Sequence, residues 1–145
     1  IQAIDLVARK LPLGGGAHVH GYIAELADIV AALGASNLEG FGDAAACLEE
    51  SIDDLAVTTD YLQATVSAGL TDIALAGATS YLRLFALASG GAYLARAALA
   101  DKSSERIALC RFFAENIAPE TDALRCGIVV GAEGLLAAGK HLIRT

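Results

Sequence analysis

The residues that could do chemistry fall into a few short groupings. Glu49 with Asp53 and Glu50 with Asp54 stand one helical turn apart, a spacing at which two carboxylates on one face could share a metal ion. A di-iron helical site also needs Glu-x-x-His on two helices, and no Glu here is followed three residues later by His. These acids therefore read as a solvated face. His18 and His20 could present two imidazoles, but two residues apart at a helix start they point in different directions, with no third ligand near them in sequence. His141 is isolated. Cys47, Cys110 and Cys126 lack Cys-x-x-Cys spacing; an odd number set among apolar neighbours predicts reduced, buried thiols in a cytoplasmic protein. The run GLLAAGKH from Gly134 to His141 matches most of a phosphate loop, but it lacks the closing hydroxyl residue and the preceding strand. Neither a catalytic group nor a metal ligand is predicted.

Two cations remain. Arg83 and Arg96 lie in the most apolar part of the chain, where a charge must be paired or reach water. Thirteen residues apart, they fall on different helix faces. Each reads either as an ion pair or snorkelling side chain of the fold, or as a contact to another domain or subunit.

These groups must be positioned by helices. Of 145 residues, 55% are hydrophobic and only 6% aromatic, and no run alternates as a half-buried strand does. Ile1 to Leu11 reads as a helix ended by Pro12 and by Gly14, Gly15 and Gly16, a flexible linker. A second helix is predicted from Ala17 to Leu33, capped by Gly34. In the third, Leu38, Phe41, Ala45, Leu48, Ile52, Leu55, Thr59, Leu62 and Val66 alternate steps of three and four, with Ser36 and Glu39 as a capping box and Asp43, Glu49, Glu50, Asp53, Asp54 and Asp60 on the wet side. The fourth runs from Thr71, a candidate cap, to Ala100 and is apolar on nearly every side, so it is expected at the centre. After a turn capped by Ser103 or Ser104, a last helix carries Ile107, Cys110, Ala114, Ile117, Thr121, Leu124, Ile128, Gly131 and Leu135 on one seam, kinked near Glu115 by Pro119. The expected fold is all-α: an antiparallel up-down four-helix bundle preceded by a short N-terminal helix.

Glycine inside the central helix costs about 1 kcal/mol relative to alanine. Gly77 and Gly91, with Ala88, Ala92 and Ala95, are read as admitting neighbouring helices closely, so that dispersion contacts replace the propensity lost. A second use of such small residues would be to line a groove for an acyl chain or a partner helix.

The net charge of -7, with ten scattered Lys and Arg, excludes a nucleic-acid surface, which needs a basic stripe. The uncharged run Leu84 to Ala95, bracketed by Arg83 and Arg96, is too short for a membrane span.

The words ALAGATSYLRLFALASGGAYLARAALA, RFFAENIAP and GAEGLLA resemble the C-terminal helical domain, acetyl-CoA dehydrogenase C-terminal-like, of a subgroup of acyl-CoA dehydrogenases, over nearly the whole chain. Its first residues, IQAIDLVARKL, are similar to the helix that follows a Tyr-Glu-Gly-Thr segment of the catalytic domain there. The resemblance implies a parent enzyme in which the Glu of that segment takes the α-proton of an acyl thioester while FAD accepts a hydride from the β-carbon. Residues 1–11 would then be the tail helix of the upstream catalytic domain, 12–16 the linker and 17–145 the helical domain. The base lies outside this chain, and Gln2 is the one residue the resemblance places near a flavin. No cofactor is expected in the chain itself. A structural, oligomerising or active-site-shielding role follows, with the upstream domain and further copies in a homo-oligomer as partners and acyl-CoA as the parent's substrate.

Overall fold

The computed structural model describes residues 1–36 and 38–142. Every regular element among them is helical: α1 (Gln2–Asp5), continued by a π-type turn over Leu6–Lys10; α2 (Ala17–Ala35); α3 (Ala44–Ser67); α4 (Thr71–Ala76); α5 (Ala78–Asp101); α6 (Ser104–Asn116); α7 (Glu120–Val129); and α8 (Gly131–Leu142). The all-α class read from the sequence holds.

Side-chain pairs fix the directions. His20 on α2 meets Gln63 on α3, and Gly34 faces Ala45, so these two helices run oppositely. Thr59 bonds Tyr81 while Leu48 packs at Gly91, which sets α5 against α3. Arg83 reaches Glu120, and Gly77 faces Ile128, so α7 returns along α5. Both α3 and α5 touch α2, α6 and α7 as well as each other. They form a central pair flanked by α2 on one side and α6 with α7 on the other.

The layout departs from four uninterrupted rods. Helical bonding breaks at Gly77, which separates α4 from α5, and again between Asn116 and Glu120 and at Val130. Pro119 stands at the N-cap of α7 and lacks a donor, so the expected kink near Glu115 is a true break a few residues later. The seam through α6 and α7 is buried at Cys110, Ala114, Thr121 and Ile128, but Gly131 and Leu135 are exposed. Beyond Val130, α8 packs on α4 and α7 instead.

The anticipated caps also differ. Ser36 Oγ donates to the Leu33 carbonyl, closing α2 at its C-terminus, and α3 begins only at Ala44. Thr71 is the first helical residue of α4, not its cap. Ser103 holds the N-cap position of α6, but its hydroxyl donates to Asp101. Gly34 lies within α2.

Both central helices are buried on more than one side, and α3 disguises this with hydroxyls. Ser51, Thr58, Thr59 and Thr65 are buried beside Leu48, Ile52, Leu55 and Leu62. The threonines bond back to carbonyls four residues earlier, Thr59 to Leu55 at 2.7 Å, which makes a polar residue tolerable in a dry helix interface. The N-terminal segment joins the same core: Val7 and Leu11 are fully covered. The glycines expected as a flexible joint form a tight turn, with Gly14, Gly15 and Gly16 all at positive φ. Gln63 donates to the Leu11 carbonyl at 2.9 Å and occupies the space a Gly16 side chain would need.

Candidate functional site

Arg83 and Arg96 point to opposite flanks of α5, as their spacing requires. Arg83 Nε and Nη2 donate to the two Glu120 oxygens at 2.6 and 2.8 Å. That fork joins α5 to the first turn of α7, where a carboxylate also favours the helix N-terminus. The pairing holds Glu120 below the usual carboxylate range and raises Arg83. Both groups are solvated, so the pair orients more than it stabilises. Arg83 is therefore occupied within the fold.

Arg96 is not. Among the described residues no carboxylate reaches it; its guanidinium lies 4.6 Å from the centroid of the Tyr93 ring. The Tyr22 hydroxyl donates to that of Tyr93 at 3.0 Å, and the Tyr22 ring stacks on Phe85 at 5.6 Å. An aromatic ladder thus crosses from α2 to α5 and ends in a cation. At its other end is a cleft of about 220 Å³, walled by Leu6, Leu11, Leu13, Val19, Tyr22 and Phe85 and edged by Lys10 and His18.

Other predicted groups are scattered. His20 bonds Gln63 at 2.9 Å and lies 3.5 Å from Asp60, a link between α2 and α3. Among the described residues no three His, Cys, Asp or Glu side chains converge on a common point. Cys110 is buried and Cys47 half-buried, and burial pushes both thiols up; Cys126, expected to be buried, is exposed. The Gly134 to His141 run lies in α8. Gln2 is exposed on α1 and lines none of the described clefts. A cleft of about 600 Å³ beside α6 is edged by Glu39, Lys102, Arg111 and Glu115. Its rim thus carries two acids and two cations.

One network escaped the sequence reading. Asp54, assigned to the wet face, is only 14% exposed and accepts from Thr121 Oγ1 at 2.8 Å and Arg125 Nε at 2.7 Å; Arg125 also bonds Asp122. It fastens α3 to α7. The available signal was Thr121, a hydroxyl at a seam position with Arg125 one turn later.

The small residues of α5 line no groove. Ala88, Ala92, Ala95 and Ala98 are fully covered, and the space above Gly91 is taken by Leu48 and Phe113. Side chains of neighbours, not backbones, fill the gaps.

Among known proteins, a family model described as acetyl-CoA dehydrogenase C-terminal like matches residues 21–138. Searches of curated proteins and of solved structures gave no match. The matched stretch runs from within α2 into α8 and takes in both central helices, and the chain accordingly belongs to the acetyl-CoA dehydrogenase C-terminal like family, a part of the acyl-CoA dehydrogenases.

Proposed function

We propose that this chain is the C-terminal helical portion of a cytoplasmic FAD-dependent acyl-CoA dehydrogenase, and that its own work is structural. In that reading residues 1–11 lead from the catalytic domain, 12–16 form the joint, and 17–145 pack on the catalytic domains, shape a homo-oligomer and shield the acyl site. FAD, held elsewhere in the polypeptide, would supply the hydride acceptor for conversion of acyl-CoA to 2-enoyl-CoA. The observation that carries the reading is the covered centre of α5, whose smallest side chains are buried under this chain's own residues.

Deleting residues 17–145 from the full-length enzyme should alter its assembly state or solubility, as read by light scattering. Normal assembly with normal turnover would defeat the scaffold role. The alternative is a module that binds an acyl chain or a partner helix. Acyl-CoA added to the isolated chain should leave its melting temperature unchanged, since a ligand that binds only the folded form must raise it; a rise would favour the alternative.

A further inference from the structure

Among the described residues, five arginines of this acidic chain are already neutralised. Arg9 pairs with Asp5, Arg83 with Glu120, Arg106 with Asp101, Arg111 with Glu115, and Arg125 with Asp54 and Asp122. Among the described residues, Lys10, Arg96 and Lys102 have no carboxylate within ion-pair distance. Lys10 and Arg96 stand at the two ends of one surface, the aromatic ladder of α2 and α5 with its apolar cleft.

That surface has the make-up of an interface core. Tyr22, Phe85 and Tyr93 are linked by stacking and a hydrogen bond, so their rings are held in place before any partner arrives. Leu13 is 53% exposed at the cleft's edge. Aromatic residues and Arg dominate the energetics of protein interfaces. The cleft's 220 Å³ is below the roughly 300–1,000 Å³ of small-molecule sites but ample for an aliphatic side chain. Glu25, whose charge acts on Tyr93, adjoins the ladder, and Asp5 lies within electrostatic reach of Lys10. The rim otherwise favours a negative visitor. In the larger cleft beside α6, Lys102 is free of a described carboxylate, but Arg111 is held by Glu115, and Glu39 and Glu115 stand on the same rim.

We propose that the face formed by α2, α5 and the N-terminal segment is where this domain docks on the catalytic portion of its own polypeptide, which presents there an aliphatic side chain flanked by carboxylates. The inference rests on the scaffold reading above and adds the surface and its chemistry. Leu6, Lys10 and Leu11, from the segment that reading connects to the catalytic domain, form one wall of the cleft, so the occupant is a covalent neighbour. The aliphatic anchor fills the space between Leu13 and Phe85, and the carboxylates meet Lys10 and Arg96.

The test compares hydroxyl-radical footprints of the full-length enzyme with those of this chain alone. Leu13, Tyr22 and Tyr93 should be several-fold less reactive in the full-length enzyme. Arg96→Glu and Lys10→Glu, both at exposed positions, should each restore much of the reactivity at Tyr93 and Leu13, and so should high salt, which screens such pairs. Protection that survives charge reversal and salt would overturn the carboxylate assignment. If Leu13 and Tyr93 stay reactive while Leu109 and Phe112 on α6 become protected, the docking face is wrong and the scaffold reading stands. If no residue of the chain is protected, both fail.

Discussion

A Cβ placed on Gly91 would overlap the Leu48 methyl and stand 3.2 Å from Phe113 Cε1, whereas one on Gly90 would meet Phe113 at an ordinary 3.7 Å. The neighbouring glycines should therefore respond oppositely. Gly90→Ala gains helix propensity of about 1 kcal/mol without a clash and should raise the melting temperature. Gly91→Leu overpacks the α3–α5–α6 contact at a cost of about 1–3 kcal/mol, or about 3–10 °C in melting temperature. Differential scanning calorimetry of both variants checks the pair; a rise for Gly91→Leu would mean that the position opens to water. At Tyr81 the relevant quantity is a proton. Burial pushes its hydroxyl up to about 12, against the opposing hydrogen bond to Thr59 at 2.7 Å. The unfolded chain releases that proton near pH 10, so the stability linked to it is intact below pH 10 and is lost as pH rises toward 12. Wild type should lose melting temperature over that window more steeply than Tyr81→Phe, and parallel curves would place the hydroxyl in water.

At the scale of elements, apolar periodicity reports which side of a helix is covered, and it located α2, most of α3 and the α6–α7 seam. It says nothing about where the backbone bonding ladder is interrupted, so Gly77, Val130 and the gap at Pro119 were not resolved as separate helix ends. Hydroxyls misled in both directions. Thr58 and Thr65 hide a second buried side of α3 because each satisfies its own oxygen locally, while Ser36 terminates a helix instead of starting one. The N-terminal segment was the larger surprise, since three glycines promise a loose tether. Leu11 is only 1% exposed and its carbonyl accepts from Gln63. Leu11→Ala should accordingly cost about 2–5 kcal/mol, the range for a buried leucine, in urea unfolding of the chain. A freely swinging segment would give a change near zero.

For the molecule as a whole, composition was sufficient to predict helices. The pairing of charges across the fold was not legible. Asp54 meets Arg125, and Arg83 meets Glu120, because α3, α5 and α7 are brought side by side, and no local spacing encodes that. The same holds for Arg96, which no carboxylate among the described residues reaches and whose neighbour is the Tyr93 ring. Finally, the interruptions at Gly77 and Val130 lie at one level, since Gly77 faces Ile128, and the short arms beyond them, α4 and α8, touch each other. Their lengths are thus yoked: an added turn in one arm would strand fresh apolar residues in water unless its companion grew in step, so insertions there should be inherited as matched pairs.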